Sequence, residues 1–495
     1  MTDRSPDSST SSSFRTTPGE VQRRTLVQGA AWTIPVVAVA TGAPFAAASG
    51  TPTLAFVNGP YAATACQPLG SVILEATTDG TTPAVNETVM VTPPAGFTWS
   101  DDGTSAPRPF QTDATGQVTV TGLTAGPSNG SYALSASTSS ASDSASVVVT
   151  GATSKIYQAA LGGGTALPAT LPAGVTVKDI QSAYDPTTGF VFVAVLGSDG
   201  KVYRTNSSVG YSSYNVVSPA GTTAFTISSD QGTFTTDGTT VYQAGLGGGT
   251  ALPATLPAGV TATDIQSAVD PSTGFVFVAV LGSDGKVYRT NSSVGYSSYN
   301  VVSPAGTTAF TISSDQGTFT TDGTTVYQAG LGGGTALPAT LPAGVTATDI
   351  QSAVDPSTGF VFVAVLGSDG KVYRTNSSTG YSSYNVVSPA GTTAFTVSSD
   401  QGTFTTDGTT VYQAGLGGGT ALPATLPAGV TVKDIQSAYD PTTGFVFVAV
   451  LGSDGKVYRT NSSTGYSQFN VVSPAGTTAF TISSDAGTFA AVEAC

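Results

Sequence analysis

From about residue 50 onward the chain is written in short runs of alternating apolar and polar residues, divided by clusters of Gly, Pro, Asp, Asn and Ser. Alternation with a period of two places successive side chains on opposite faces of a strand, so each run reads as one half-buried β-strand. In residues 49–152 the runs are TLAFV, SVILEAT, ETVMVTPP, GFTWS, GQVTVTG, SYALSAS and SASVVVT. About seven short strands in roughly 100 residues is the density of a two-sheet β-sandwich.

Residues 153–495 repeat. A segment ending in GGGTALPATLPAGV recurs with its leading tyrosine at Tyr157, Tyr242, Tyr327 and Tyr412, a constant step of 85 residues. Each 85-residue unit is itself double. PAGVTATDIQSA, from Pro257, aligns without gaps on PAGTTAFTISSD, from Pro219, with seven of twelve positions identical. KVYRTN marks the middle of each unit at Tyr203, Tyr288, Tyr373 and Tyr458. The structural unit is therefore 38–47 residues, and eight of them start at Pro172, Pro219, Pro257, Pro304, Pro342, Pro389, Pro427 and Pro474. The longer half carries four strand signals, TDIQSA, FVFVAVLGS, KVYRTN and YNVVS; the shorter carries AFTISS, GTFTT, TVYQAG and TALPATL. Asp-Gly in SDGK and TDGT predicts a tight hairpin between the second and third strands, with both central residues at positive φ. Four antiparallel strands per unit, repeated, predict a β-propeller of eight blades. The last unit, Pro474 to Cys495, has room for two strands only. The missing two are predicted in SKIYQAALGGGTALPATL at the start of the repeats, closing the ring. The rival architecture is a string of four tandem 85-residue sandwich domains.

Two resemblances follow from these segments. PPAGFTWSDDG, TDATGQVTV and SYALSAS resemble the bacterial Ig-like domains of invasin-type surface proteins, over residues 49–152. That resemblance implies an Ig-like spacer, and makes the rival for the repeats four tandem Ig-like domains. PAGVTATDIQSA with FVFVAVLGSDGKVYRTN resembles the RCC1-like propeller blade, over residues 153–495. The His-rich second strand and the WGxNxxGQLG loop of that family are absent, and the nucleotide-exchange activity of its namesake is not implied. Exported bacterial members of the wider family bind other proteins, including β-lactamase, which implies a binding role without naming a target.

The leader changes the compartment. Arg23 and Arg24 precede a moderately apolar stretch from Gly29 to Ala43, and Ala46-Ala47-Ala48 supplies small residues for a cut after Ala48. Residues 1–48 read as a signal peptide, and the arginine pair followed by Thr-Leu-Val resembles a twin-arginine signal. The alternative is an ordinary Sec signal. Beyond it no apolar run of 18 residues occurs, so no membrane span is expected in the mature form. The expected location is secreted or on a bacterial cell surface.

Composition then removes most chemistry. Charged residues are 9% of the chain and the net charge is −14, with only 16 Lys and Arg. That excludes a nucleic-acid interface, which needs clustered cations. Histidine is absent, so the usual general base, the commonest metal ligand and every Ser-His-Asp arrangement are missing. Two cysteines without a CxxC cannot build a thiolate metal cage; no metal or cofactor is expected. In an exported protein Cys66 and Cys495 permit one disulfide, which would tie the first domain to the closing blade.

Remaining motifs divide between chemistry and architecture. LPATL at Leu167–Leu171 lacks the Gly of a sortase signal, and GLGGG at Gly245–Gly249 lacks the Gly-Lys-Ser/Thr ending of a phosphate loop. Both read as loops. Asp185, Asp199, Asp230 and Asp237 recur in each unit, as turn residues must and a catalytic carboxylate pair need not. Trp99 reads as core, and Asp101 with Asp102 as a solvated turn rather than a Ca²⁺ site. Tyr211 and Tyr214, Tyr296 and Tyr299, Tyr381 and Tyr384, and Tyr466 with Phe469 stand on one repeated loop. They are candidate stacking platforms for sugar rings; the competing role is blade-to-blade packing. The function expected is an exported, non-enzymatic binding protein whose propeller face recognises an extracellular protein or a glycan. The alternatives are a structural spacer or adhesin stalk and, more remotely, a carbohydrate-active enzyme.

Overall fold

The computed structural model describes residues 51–495, except 230–231, 315–316, 331, 400–401, 485–486 and 494–495. The leader of residues 1–48, Asp230 and Cys495 lie outside the described residues.

The first domain is a β-sandwich. One sheet holds Thr53–Phe56, Val72–Thr77 and Gln117–Val120; the other holds Tyr61–Thr64, Ser142–Thr150, Gly130–Ser137, Thr88–Thr92 and Arg108–Gln111. The chain crosses between sheets at its start. Thr53–Phe56 pairs antiparallel with Val72–Thr77, whereas Tyr61–Thr64 pairs parallel with Ser142–Thr150. Alternation sends Val72, Leu74 and Ala76 inward from one sheet and Val147 and Val149 from the other. Trp99 is buried among them and donates its indole N–H to the Ala106 carbonyl at 2.8 Å. Asp101 and Asp102 both pair with Arg108, whose guanidinium lies 4.7 Å from the Trp99 ring centroid. The two aspartates serve this salt bridge at the rim of the core.

The repeats form eight four-stranded sheets. A long blade is typified by Val177–Asp185, Phe190–Gly197, Val202–Asn206 and Asn215–Val216, and a short one by Ala224–Ile227, Thr233–Thr236, Val241–Gln243 and Thr250–Ala251. Long and short blades alternate. The eighth sheet joins the two ends of the repeat region: Thr477–Ile482 and Thr488–Glu493 come from the C-terminus, Ser154–Gln158 and Thr165–Ala166 from its start. Ser154 opposes Glu493 and Gln158 opposes Phe489 in antiparallel register.

Innermost strands are tied around the ring by one repeated device. Gln181, Gln266, Gln351 and Gln436 each donate a side-chain N–H to the carbonyl of Phe225, Phe310, Phe395 and Phe480 in the following blade, at 2.7–2.9 Å. On the other side, the backbone N–H groups of Ser182, Ser267, Ser352 and Ser437 donate to the hydroxyls of Thr481, Thr226, Thr311 and Thr396 in the preceding blade, at 3.1–3.2 Å. Eight junctions are bridged in turn and the Ser182–Thr481 bond closes the circle. The repeats are thus one closed ring and not four sandwiches in series. The cores lie between blades: Val276, Val278 and Val280 of a long blade meet Phe234 and Leu252 of the short blade before it.

The Asp-Gly turns differ from expectation. Only the glycine is left-handed, with φ of 72° at Gly200 and 94° at Gly238; neither Asp199 nor Asp237 has positive φ. The Gly200 N–H donates to the Gly197 carbonyl at 3.0 Å, so the loop has three residues, with glycine in the left-handed place that follows a type I turn. At the short-blade turn the Asp237 carboxylate accepts the N–H groups of Thr239 and Thr240 at 2.8 Å. A side chain that captures turn N–H groups stabilises right-handed geometry at its own position.

At the long-blade turn the aspartate also accepts the phenol of the next strand: Tyr203, Tyr288, Tyr373 and Tyr458 donate to Asp199, Asp284, Asp369 and Asp454 at 2.7 Å. Burial and the adjacent carboxylate push all four phenols up to about 12. A phenol whose folded value exceeds its unfolded value of about 10 stabilises the fold fully below pH 10 and loses that contribution as pH rises through 12. The melting temperature should therefore fall steeply between pH 10 and 12. Removing the four hydroxyls by Tyr→Phe should flatten that fall; an unchanged slope in circular-dichroism melts would refute the linkage.

Candidate functional site

Blade geometry divides the propeller into two faces. Turns between second and third strands, together with the blade-to-blade connections, lie on what is here termed the lower face. Turns joining the first to the second strand and the third to the fourth lie on the upper face.

All seven lysines of the chain are on the lower face. Lys155, Lys178 and Lys433 are second residues of strands that start there, and Lys201, Lys286, Lys371 and Lys456 sit in the SDGK turns, 3.5–3.8 Å from their aspartates. The sandwich joins here too. Ala152 is buried in the sandwich core, and Ser154 begins the third strand of the eighth blade. The Thr153 hydroxyl accepts the Gly174 N–H at 2.9 Å, holding the connection to the ring.

The upper face is of opposite character. Among the described residues, every exposed large apolar side chain of the propeller lies in its loops or at the strand ends beside them: Leu161, Leu246 and Leu416, Phe190, Phe275, Phe360 and Phe445, and Val209 and Val294. Its blades are also unequal. The Pro-Ala-Gly segments align the two blade types at the lower face, yet the innermost strand has eight or nine residues in a long blade and four to six in the short blades between them. The innermost strands of the long blades are therefore longer by several residues, at roughly 3.3 Å of strand per residue.

The tyrosine loops cover one flank of each long blade. Tyr211, Tyr296, Tyr381 and Tyr466 are left-handed, with φ of 53–55°, and only 8% exposed. Their rings meet Phe489, Phe234, Phe319 and Phe404 of the preceding short blade edge-to-face at 5.5–5.6 Å. Tyr214, Tyr299 and Tyr384 are largely buried beside them, and their hydroxyls have no hydrogen-bond partner among the described residues. Burial pushes these phenols far above their ordinary range. Phe469 holds the same place in the fourth repeat. All eight residues pack within the blade cores, and Tyr296 has Phe234 edge-to-face against its ring.

The other flank of the long blades faces the following short blade, to which Arg204, Arg289, Arg374 and Arg459 each donate a hydrogen bond. Beside the second long blade a cavity of about 420 Å³ opens between Phe275, Phe277, Arg289, Asn291, Ser293 and Asn300. Phe277 is buried under Arg289, whose guanidinium lies 5.5 Å from the ring centroid and donates to the Thr318 hydroxyl of the next blade at 3.2 Å. The same pair recurs as Arg204 on Phe192, Arg374 on Phe362 and Arg459 on Phe447, at 5.4–5.7 Å. Phe275 forms the rim, 39% exposed, on a hairpin tip organised by Asp270. That carboxylate accepts from the Ser272 N–H and the Thr273 hydroxyl at 2.9 and 2.7 Å. Asp185, Asp355 and Asp440 hold the equivalent tips. Burial opposes ionisation of Asp440, but hydrogen bonds from Thr443 and Thr442 hold its carboxyl below the usual range. These aspartates are turn residues.

Two cavities lie where the innermost strands of the blades converge. The lower, of about 340 Å³, includes Asp179, Asp264, Asp434 and Gln181; the upper, of about 330 Å³, is rimmed by serines including Ser267 and Ser352. Each aspartate accepts the N–H of the residue after it at 2.8 Å. Among the described residues no acidic or cysteine cluster has the geometry of a metal site. The GLGGG loop ends in three left-handed glycines, Gly247 to Gly249, and runs straight into Thr250–Ala251, with no helix to receive a phosphate. No helix among the described residues is long and apolar enough to cross a membrane.

No family model matches the chain, and neither does any curated protein. Among solved structures it is similar to the dihydro-heme d1 dehydrogenase NirN in complex with DHE, at 13% identity and a TM-score of 0.45 over 63% of this chain and 71% of that one. The Dos1 propeller shares 13% identity with a TM-score of 0.34 over 61% and 76%. YCF48 from Cyanidioschyzon merolae shares 11% with a TM-score of 0.36 over 68% and 98%. Such likeness concerns fold alone, and the β-propeller assignment rests on the strand pairing above.

Reading the sequence for sites missed the Phe275 flank. FVFVAV presents as one uniformly apolar strand, which conceals that Phe275 is exposed while Phe277 is buried. The signal lay in unequal strand lengths: TDIQSA extends further before its turn than AFTISS.

Proposed function

We propose that the protein is an exported, non-enzymatic binding protein that recognises an extracellular protein or glycan with the upper face of its propeller. One observation carries the reading. The sandwich and every lysine occupy the lower face, while the opposite face presents apolar loop tips in four-fold repetition. The sandwich acts as an Ig-like spacer, in keeping with its split first strand. It holds the recognition face away from its point of attachment. The recurrent aspartates organise turns, which accords with a binding role and not with a hydrolase.

Face-selective blocking tests this. A polyethylene glycol chain attached at Val294→Cys on the upper face should abolish retention on arrays of extracellular proteins or oligosaccharides. The same chain at Thr239→Cys on the lower face should leave it intact. Equal loss at both positions, or at neither, would overturn the assignment.

We further propose a Cys66–Cys495 disulfide. Cys66 is disulfide-bonded and not a free thiol. Glu493 pairs with Ser154 at the domain junction. Cys66→Ser should destabilise the oxidised protein by about 2–5 kcal/mol, and reductant should erase the difference in denaturant melts. Equal stability with and without reductant would exclude the staple.

A further inference from the structure

The residues that line this flank recur in all four long blades, and their chemistry is definite. Each has an exposed phenylalanine at the rim, Phe190, Phe275, Phe360 or Phe445, 38–40% exposed. Each has a guanidinium laid over a second, inner phenylalanine and hydrogen-bonded to a threonine of the next blade. Each has two asparagines, at the end of the third strand and the start of the fourth: Asn291 and Asn300 in the second repeat. No carboxylate lines the described cavity. The cavity of about 420 Å³ is within the size range of small-ligand sites, and an apolar wall with a few convergent polar groups is their usual composition.

We propose that these flanks are four equivalent saccharide subsites, each taking one pyranose of an uncharged oligosaccharide. This rests on the recognition reading above and relocates the contact from the tyrosine loops to the opposite flank of each long blade. An exposed aromatic ring offers an apolar face to the C–H face of a sugar. Amide side chains beside it both donate and accept, as hydroxyl groups require. The Asn300 amide lies at an exposed position on the cavity edge, while Asn291 accepts from the Ser293 hydroxyl at 2.5 Å and keeps its amide N–H₂ for donation. Arg289 serves as the floor, held in place by Phe277 and Thr318.

An apolar peptide would match the rim phenylalanines alone. The paired asparagines favour a polyhydroxylated ligand, because amides desolvated against an apolar surface lose hydrogen bonds they cannot recover. Four weak sites on a rigid ring gain avidity on a repeating polymer without any new contact.

The test is retention of the mature protein on an array of immobilised uncharged and acidic oligosaccharides, compared with Phe190→Ala/Phe275→Ala/Phe360→Ala/Phe445→Ala. The wild type should be retained on uncharged glycans. The four-fold variant should lose at least a hundredfold in apparent affinity, and Phe275→Ala alone only a few-fold, because three sites remain. Asn300→Asp, a surface change, should weaken the second subsite without altering the melting temperature. This variant guards against misreading a folding defect as lost binding. A blank array, or a four-fold variant bound as tightly as the wild type, would overturn the saccharide assignment. If the array is blank while an extracellular protein binds in a way blocked at Val294→Cys, the recognition reading survives and the saccharide assignment alone falls.

Discussion

Deleting residues 154–171 should abolish cooperative folding of the entire propeller, although the excised segment lies at one edge of one blade. Those residues supply the third and fourth strands of the eighth sheet. Without them Phe489 and Ala491 lose the strand that covers them, and Ile156, Leu167 and Leu171 leave the core they share with Val193 and Val195 of the first long blade. Burial of three such side chains contributes roughly 5–9 kcal/mol, comparable to the whole stability of a typical domain. The deletion also leaves Thr488–Glu493 as an open edge, so aggregation should accompany the loss. Blades bury their faces only against neighbours, and the damage should not stay local. Moving the same segment to follow Cys495 should restore a single sharp transition, because the two strands can then enter the eighth sheet from the other end. Calorimetry that shows most of the wild-type transition surviving the deletion would mean that the repeats fold independently.

Much of this architecture was legible because repetition and alternation report on the same thing. The match between PAGVTATDIQSA and PAGTTAFTISSD carried the half-repeat, the half-repeat carried the count of eight, and the two-strand remainder after Pro474 carried the closure. What was not legible depends on relative strand length. The first strand of each long blade is longer than those of the short blades beside it, Phe275 is exposed on one flank, and Tyr296 is packed on the other. Alternation shows that a residue faces a neighbour but not whether that neighbour reaches as far. For the same reason the tyrosine loops looked available. Tyr211 and its equivalents sit among Ser and Gly, which signals a surface loop, and only the left-handed turn at the tyrosine itself folds the ring back onto Phe489. The Asp-Gly turns show a local version of the limit: the long-blade turn is a three-residue loop at Gly200, and at the short-blade turn Asp237 captures two turn N–H groups across a four-residue loop, where two-residue turns were expected.

The second large effect should be a gain in stability. Tyr214, Tyr299 and Tyr384 bury a phenol hydroxyl with no hydrogen-bond partner among the described residues, once in each of the first three repeats. A buried hydroxyl left unsatisfied costs about 1–3 kcal/mol relative to a partnered or absent one. The fourth repeat already carries the remedy, with Phe469 packed in the equivalent place beside Tyr458 and Val471. Tyr214→Phe, Tyr299→Phe and Tyr384→Phe should each stabilise the protein by about 1–3 kcal/mol. The sites occupy separate long blades, so the three gains should add. The ring contacts are preserved, because Tyr299 meets Tyr288 edge-to-face at 6.4 Å through carbon atoms that phenylalanine retains. The reverse change, Phe469→Tyr, should destabilise by a similar amount, since burial alone would oppose the new hydroxyl. Chemical denaturation of the triple variant and of Phe469→Tyr gives both signs in one experiment. A triple variant no more stable than the wild type would show that the hydroxyls are satisfied in solution. A stable Phe469→Tyr protein would place that satisfaction in the fold itself.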